Sequence, residues 1–278
     1  MSAQDVRLRY AMVTEMRRVG TLQDRAVIDA FASVARHLFV PHVPPSEAYL
    51  DRAISIKSEG GETIASISQP SMLARMLELA AIEPGNGVLE IGTGSGYNAA
   101  LAARIAGRRG RVVTLEIEPD LARAARSALE AAGCETVEVV VGDGHLGHEA
   151  GGSYDRIIVS ARASDIADAW WEQLRDGGRI VIPLDIGAGG EYAVAFVREG
   201  SLFRSTGIVQ CLFVPLRGEQ RPSPEAIFAR SPSARYGDRP RRIAEISAVK
   251  TAQAQPEILE RADIVVAQPC TTFAIVWG

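Results

Sequence analysis

The stretch Val88-Leu89-Glu90-Ile91-Gly92-Thr93-Gly94-Ser95-Gly96-Tyr97 carries the main signal for the fold of this 278-residue chain. An apolar run that predicts a strand leads directly into glycines at alternating positions, and an alanine-rich segment that predicts a helix follows. Glycine has no Cβ atom, so a ligand can approach the backbone, and the first turn of a helix offers free N–H groups. The third glycine comes one residue earlier than in the dinucleotide fingerprint G-x-G-x-x-G. The stretch therefore predicts a ligand-binding loop and disfavours a nicotinamide dehydrogenase.

Strands and helices alternate around this loop. Strands are predicted at 87–91, 111–116, 136–141, 154–160 and 179–184, with helices at 97–106, 119–132 and 166–174 between them. Such alternation is typical of βαβ units and of a parallel sheet covered by helices on both faces. Two further strand-like runs, 192–198 and 205–214, have no helix between them, so we expect them to add antiparallel strands at one edge.

The two ends of the chain differ from this pattern. Helical spacing of apolar residues predicts two amphipathic helices in the first 40 residues and a third after Pro70, with a loop at 58–62 before it. Residues 219–242 are rich in Pro, Ser and Arg, and strand-like runs follow at 264–267 and 272–277. We expect a main domain over residues 1–218 with an N-terminal helical cap, and a small C-terminal extension of uncertain fold over 219–278.

Composition excludes several classes of function. A net charge of −4 gives no basic surface for nucleic acid. The three cysteines form no CxxC pair, and His145 and His148 lack a third ligand, so no metal site is predicted. The charged start lacks the apolar core of a signal peptide, and no apolar run approaches the roughly 18 residues that span a bilayer. We expect a soluble, cytoplasmic protein without nucleic-acid or membrane partners; the sequence does not indicate its oligomeric state.

Three acids fall at the ends of three successive predicted strands: Glu90, Glu116 and Asp143. Doubly wound sheets bind ligands at this end, and an acid after the second strand accepts hydrogen bonds from ribose hydroxyls. Each acid alone is equally compatible with a solvated turn. Together with the glycine loop they are similar to the motifs of Rossmann-like, class I methyltransferases that use S-adenosyl-L-methionine (SAM). The cofactor-binding residues predicted in this way are Glu90, Gly92, Thr93, Gly94, Ser95, Gly96, Glu116, Asp143 and Gly144.

The segment Ile67-Ser68-Gln69-Pro70 makes the resemblance more specific, because most methyltransferases lack it. With Arg36-His37-Leu38-Phe39-Val40-Pro41 and Phe213-Val214-Pro215-Leu216, the chain resembles the protein-L-isoaspartate O-methyltransferase family over about residues 10–218. The resemblance implies that Ser68 is the active-site serine. It implies that substrate-facing positions include Ser66, Ile67, Ser160 and Ala161. The alternative for Ser68 is a helix cap ahead of Pro70.

The expected chemistry needs few residues. A carboxylate with an ordinary pKa near 4 is already ionised at neutral pH, so its methylation needs no general base. The enzyme has to align the carboxylate with the methyl donor and exclude water. A single hydroxyl such as that of Ser68 is enough to orient the carboxylate. The methyl ester can then close to a succinimide.

Several positions depart from the family pattern. Ser66 replaces a threonine, the segment 55–59 replaces Pro-Ile-Gly, and the segment 160–165 replaces Ala-Ala-Pro. Glu191 stands near a position where the family often has glutamine. With Asn98, the C-terminal extension and the pair Trp170-Trp171, these features are similar to a divergent branch that methylates one aspartate of a ribosomally made peptide, which can then form an aspartimide. At least one of the two tryptophans is expected in the core, and the other is a candidate for stacking on a peptide.

Three functions are therefore compatible with the sequence. The first is a general L-isoaspartyl carboxyl methyltransferase for protein repair, and the second is a methyltransferase dedicated to one precursor peptide. The third is a SAM-binding module without catalysis. In the first two, the partner is a protein or peptide that contains an isoaspartyl or aspartyl residue.

Overall fold

The computed structural model describes residues 2–185, 190–218, 227–230, 243–250, 264–267 and 271–277. Within these ranges an eleven-stranded mixed sheet carries helices on both faces, and a separate two-stranded hairpin lies beside it.

The N-terminal helices form a cap on one side of the sheet. They are α1 (Ala3–Arg18), α2 (Arg25–Ser33) and the short α3 (Pro45–Ala48), with a 3-10 helix at Arg36–Phe39 between the last two. Ser2 and Asp5 form a capping box at the start of α1, and Asp24 accepts a hydrogen bond from the amide of Val27 at the start of α2. The two helices predicted for the first 40 residues are confirmed.

A β-hairpin that the sequence did not predict follows this cap. Strands β1 (Ile54–Glu59) and β2 (Glu62–Ile67) pair antiparallel around Gly60 and Gly61, which both have positive φ. Of the loop predicted at 58–62, only Gly60 and Gly61 form a turn, and the other residues belong to the two strands. The strands were missed because they are short and only partly buried, and they carry Ser, Lys and Glu in place of a sustained apolar alternation.

The central part of the sheet is parallel, as predicted. Its strands are β3 (Gly87–Ile91), β4 (Arg111–Glu116), β5 (Glu138–Val141), β6 (Tyr154–Val159) and β7 (Leu174–Asp185). The helices around them are α4 (Pro70–Ala80), α5 (Tyr97–Ala106), α6 (Pro119–Ala131) and α7 (Asp168–Gln173). The spatial order is β7-β6-β3-β4-β5, so the order of the strands reverses between β3 and β6. Doubly wound sheets bind ligands at such a switch point.

Strands β8 (Glu191–Glu199) and β9 (Leu202–Cys211) continue the sheet in antiparallel fashion beyond β7. The expectation that they add antiparallel strands beside the parallel ones is confirmed, but they are not the outermost strands of the sheet. Strand β11 (Ile243–Lys250) pairs with β9, and β13 (Thr271–Trp277), β12 (Ile264–Ala267) and β10 (Ile227–Arg230) follow outward. These strands satisfy the backbone groups that β9 would otherwise leave unpaired. The described part of the C-terminal extension thus belongs to the same sheet, and the domain boundary at residue 218 stays a prediction.

The core excludes one alternative for the tryptophan pair. Both Trp170 and Trp171 are buried, at 0% and 2% exposure, so neither ring is available to stack on a peptide. In the part of the chain that the structure describes, no helix combines the length and apolarity needed to cross a bilayer. The cytoplasmic location stays a prediction.

Candidate active site

A cleft of about 770 Å³ opens at the C-terminal ends of β3, β4 and β6. The end of the hairpin, the glycine loop and the segment 214–217 complete its walls. Twelve of the predicted site residues line it: Ser66, Ile67, Ser68, Glu90, Gly92, Thr93, Gly94, Ser95, Glu116, Gly144, Ser160 and Ala161. Two others, Gly96 and Asp143, are not among the lining residues.

The glycine loop is held by its backbone. The amides of Gly92 and Thr93 donate to the carbonyl of Leu115, at 2.9 and 3.0 Å, which ties the loop to the end of β4. Gly92, Gly94 and Gly96 all have positive φ, a conformation that favours glycine. A Cβ atom on Gly96 would lie only 3.3 Å from side-chain atoms of α6. Gly96 therefore lies behind the loop, where it permits close packing of α6.

Glu90 is buried at the floor of the cleft. Its Oε1 accepts hydrogen bonds from Asn98 Nδ2 at 2.7 Å and Ser160 Oγ at 3.0 Å, and its Oε2 accepts one from Thr114 Oγ1 at 2.6 Å. Burial raises the pKa of Glu90 to about 7, although the three donors oppose this rise. A buried carboxylate at the switch point, with its pKa near neutrality, is suited to attract a cationic ligand.

Glu116 lies at the end of β4 and joins the glycine loop to the loop before α6. Its carboxylate accepts the amides of Gly94 at 2.8 Å and Glu118 at 3.1 Å, and burial raises its pKa. The carboxylate of Glu118 in turn accepts hydrogen bonds from Lys57 Nζ of the hairpin and from Arg217 Nη2, each at 2.6 Å. This ionic group of Lys57, Glu118 and Arg217 was not predicted from the sequence. Its members are far apart in the chain, and no local pattern marks them.

Asp143 and Gly144 form the third element of the predicted cofactor site. Asp143 Oδ1 accepts the amide of His145 at 2.9 Å and lies 3.0 Å from its Nδ1. Gly144 lines the cleft, and a Cβ atom there would lie 2.4 Å from Ile91 Cγ2. Glycine is thus required at this position because the loop passes directly against the end of β3.

The buried guanidinium of Arg36 fixes the backbone at Ser68. It donates to the carbonyl oxygens of Ser68 at 2.9 Å and Ala48 at 2.8 Å, and it lies 5.1 Å from the centre of the Tyr97 ring. Burial lowers the pKa of Arg36 to about 10, so it remains charged at neutral pH. The family motif around Arg36 was recognised in the sequence, but its contact with the serine segment was not.

The hydroxyl of Ser68 is not used as a helix cap. The N-cap of α4 is Gln69, and the carboxylate of Asp51 accepts the amide of Ser71 at 2.8 Å. The capping alternative for Ser68 is therefore wrong. Among the described residues, none forms a hydrogen bond with the Ser68 hydroxyl, and the half-buried Ser68 lines the cleft.

The opposite wall contains two residues that the sequence marked as departures from the family. Arg162 Nη1 donates to Glu191 Oε1 at 2.5 Å, and the other oxygen of Glu191 accepts the amide of Phe213 at 3.1 Å. The backbone of Arg162 also pairs with Val214 and Leu216, which line the cleft. An ion pair therefore supports this wall. No group of three or more His, Cys, Asp or Glu side chains arranged for a metal occurs among the described residues.

Known proteins are similar to this chain in both sequence and fold. The family model for protein-L-isoaspartate (D-aspartate) O-methyltransferase matches residues 7–221. Protein-L-isoaspartate O-methyltransferase 2 of Archaeoglobus fulgidus is 43% identical over 196 residues, which is 70% of this chain and 86% of the relative. The protein-L-isoaspartate O-methyltransferase of Methanopyrus kandleri is 39% identical over 215 residues, 77% of this chain and 93% of the relative.

Two solved structures extend the likeness of fold. A protein-L-isoaspartate O-methyltransferase has a TM-score of 0.71 at 23% identity and covers 97% of this chain and 88% of its own. A structure from Plasmodium falciparum, described as a putative protein-L-isoaspartate O-methyltransferase in complex with S-adenosyl-L-homocysteine, has a TM-score of 0.62 at 21% identity, covering 74% of this chain and 97% of its own. At these identities the structures support the fold alone. The family model and the relatives above 30% identity show that this chain belongs to the protein-L-isoaspartate O-methyltransferase family.

Proposed function

We propose that this chain transfers a methyl group from SAM to the side-chain carboxylate of L-isoaspartyl residues in proteins or peptides. One observation carries the proposal. A single cleft brings the Ser68 segment, which is specific to the family, together with the glycine loop and the acids Glu90 and Glu116. Family membership supports the choice of acceptor and of cofactor, and the P. falciparum structure, which has the same fold, is described in complex with S-adenosyl-L-homocysteine.

The residues of the cleft fit this cofactor. The positive-φ glycines leave the backbone open to the methionine part of the ligand, and Glu90 places negative charge beneath it. Glu116 would hold the ribose hydroxyls, while Asp143 and Gly144 would hold the adenine. When bound, SAM supplies an electrophilic methyl group on a sulfonium sulfur.

The chain itself has to orient the acceptor and keep water out. The isoaspartyl carboxylate is ionised at neutral pH and needs no base. Ser68 Oγ is free to donate a hydrogen bond to one carboxylate oxygen, which directs the other towards the methyl group. Arg36 holds the backbone of Ser68 and thereby fixes the direction of this hydroxyl. In the resulting methyl ester, methoxide is a better leaving group than the oxide of a carboxylate, so a neighbouring backbone nitrogen can attack the ester carbonyl, lose its proton and release methanol to form the succinimide.

A specific observation also favours the second candidate, a methyltransferase dedicated to one precursor peptide. The ion pair of Arg162 with Glu191 supports the acceptor-side wall. Arg162 lies in the segment that replaces Ala-Ala-Pro, and Glu191 stands near a position where the family often has glutamine. A changed wall is consistent with a narrower choice of peptide. The third candidate, a SAM-binding module without catalysis, remains an outcome of the same experiment.

The test is methyl transfer to a pair of matched peptides. Purified protein is incubated with SAM carrying a radiolabelled methyl group, a synthetic isoaspartyl peptide and, separately, its aspartyl twin. We expect base-labile methyl incorporation into the isoaspartyl peptide alone. Incorporation into neither peptide, with SAM binding confirmed by calorimetry, refutes general repair and directs the search to a dedicated peptide or to a non-catalytic role.

Two serine variants separate catalysis from folding in this assay. Ser68→Ala removes the hydroxyl in the cleft, whereas Ser127→Ala removes an exposed hydroxyl on α6. We expect turnover by Ser68→Ala to fall at least tenfold and turnover by Ser127→Ala to equal that of the wild type. Equal turnover by the two variants would remove Ser68 from the mechanism.

A further inference from the structure

The loop that contains Asp143 and Gly144 is supported from behind by a tryptophan of α7. The indole Nε1 of the fully buried Trp170 donates to the carbonyl of Gly144 at 2.8 Å. Its ring is parallel to that of His145 within 10°, with centroids 6.2 Å apart. His145 in turn contacts the carboxylate of Asp143. Trp170 therefore interacts with Gly144 and His145, the two residues that follow Asp143, and does not itself line the cleft.

Ile91 of β3 packs against the other side of the same loop. The Cα atom of Gly144 lies so near Ile91 that a Cβ atom would come within 2.4 Å of the Ile91 side chain. The loop is only a short 3-10 turn, Gly144–Leu146, and has no sheet ladder to fix it. Its position between β3 and α7 depends on packing against Ile91 and on hydrogen bonds with α7: Trp170 donates to the carbonyl of Gly144, and Gln173 donates to the carbonyl of Leu146.

The hydrogen bond from Trp170 orients the carbonyl of Gly144 more than it stabilises the fold. The carbonyl of Gly144 also accepts the amide of Gly147 at 3.1 Å, so loss of the indole N–H leaves it with a partner. Little folding free energy is then lost, because a buried acceptor is costly mainly when it has no partner. The direction of the carbonyl, and with it the placement of Asp143, loses one constraint.

The next residue, Trp171, provides a natural comparison. Its indole Nε1 donates to Thr271 Oγ1 of β13 at 3.4 Å, and its ring stacks on Phe203 with centroids 3.9 Å apart. Thr271 Oγ1 also donates to the carbonyl of Ile166. The two adjacent indoles are equally buried, but Trp171 anchors the C-terminal strands and Trp170 anchors the cofactor loop.

We infer that Trp170 is a positioning residue for the cofactor: its indole N–H sets the placement of Asp143 and Gly144 at the adenine end of the cleft. This inference rests on the proposed function, because it takes SAM as the ligand. Trp170 makes no contact with substrate in this assignment and acts through Gly144 and His145.

The test compares Trp170→Phe with Trp171→Phe in the full-length protein. Both changes remove one buried indole N–H and keep an aromatic ring. Binding of S-adenosyl-L-homocysteine is measured by calorimetry, and KM for SAM and for the isoaspartyl peptide is measured by methyl transfer. For Trp170→Phe we expect about three- to tenfold weaker binding and a matching rise in KM for SAM, the range expected for one hydrogen bond. KM for the peptide at saturating SAM stays unchanged, and Trp171→Phe binds within about twofold of the wild type.

A further readout addresses the adenine directly. The affinity ratio between S-adenosyl-L-homocysteine and its hypoxanthine analogue, S-inosyl-L-homocysteine, is expected to fall in Trp170→Phe, because Asp143 no longer sits at its adenine contact. If Trp170→Phe does not fold, 3-benzothienylalanine at position 170 replaces it, since sulfur takes the place of N–H in the same ring shape.

The outcomes separate this inference from the proposed function. Failure of the wild type to bind S-adenosyl-L-homocysteine overturns the proposed function and this inference with it. Binding by the wild type, with equal affinity and an equal ratio in Trp170→Phe, overturns the role of Trp170 alone. Equal losses in both tryptophan variants also overturn it, because a general effect on packing then explains them.

Discussion

Replacement of Glu90 by glutamine is expected to stabilise the protein at neutral and alkaline pH. The amide is isosteric with the carboxyl group and fits the same hydrogen bonds. Its oxygen can accept from Asn98 and Ser160, and its nitrogen can donate to Thr114, whose hydroxyl then donates to Thr93 at 2.8 Å. Glu90→Gln therefore removes the charge of the side chain and keeps its three hydrogen bonds.

The magnitude follows from the pKa of Glu90. Burial raises it from its ordinary value of 4.5 to about 7. One pKa unit corresponds to about 1.4 kcal/mol, so ionisation of Glu90 in the folded protein lowers stability by about 3 kcal/mol. Below pH 4.5 the group is protonated in the folded and unfolded states and has no such effect. The favourable contribution of the protonated group is lost as pH rises from 4.5 through about 7.

Urea unfolding of the wild type and Glu90→Gln between pH 4.5 and 8.5 measures this contribution. We expect the difference in free energy of unfolding to move in favour of the variant by about 3 kcal/mol over this range and to level off above pH 8. Glu118→Gln is the matched control. The hydrogen bond from Lys57 lowers the pKa of Glu118, so its stabilising contribution is lost only as pH falls below the ordinary value of 4.5, and the difference for Glu118→Gln stays nearly constant over this range.

A difference between the wild type and Glu90→Gln that does not vary with pH would refute the reasoning. It would mean that Glu90 is ionised in the folded protein at an ordinary pKa, and that the three donors outweigh its burial. The same variant is expected to bind SAM more weakly, because negative charge beneath the cationic ligand is gone. A gain in stability with a loss of binding is typical of a residue kept for function.

Three further predictions concern residues around the cleft. Arg36→Met leaves the carbonyl of Ser68 without its charged donor, so the free energy of unfolding in urea falls by about 3 kcal/mol and turnover falls more than tenfold; unchanged turnover would separate Arg36 from the active site. Gly96→Ala places a Cβ atom at φ +87° and 3.3 Å from α6, which lowers stability by about 2 kcal/mol and the melting temperature by about 5 °C; an unchanged melting temperature would contradict the close packing. Glu118→Gln breaks the ionic contact between the hairpin and Arg217, so SAM dissociates faster in 50 mM salt but at the wild-type rate in 1 M salt, as stopped-flow release measures; an effect independent of salt would point to a steric cause.

Much of the cofactor side of the cleft was predictable because it is encoded locally. An apolar strand, a run of glycines and a helix lie within a single short segment. Glu116 ends one strand and Asp143 follows another, and the apolar pattern of each strand predicts it. Parallel strands place their carboxyl ends at one edge of the sheet, so local patterns were enough to predict that these groups gather there. The placement of Asp143 just outside the lining of the cleft was not predictable in this way.

The sequence by itself determined the family, the parallel sheet and the glycine loop, since each depends on the order of residues over a short window. Only the tertiary structure decided that a β-hairpin forms where the sequence predicts a loop. It alone also decided the contact of Arg36 with Ser68, the hydrogen bond of Trp170 to Gly144 and the position of β11 beside β9. The partners in these last three contacts lie tens of residues apart in the chain. Their pairing depends on which surfaces remain to be buried and which backbone groups remain to be satisfied once the central sheet has formed, and apolar periodicity carries no record of that competition.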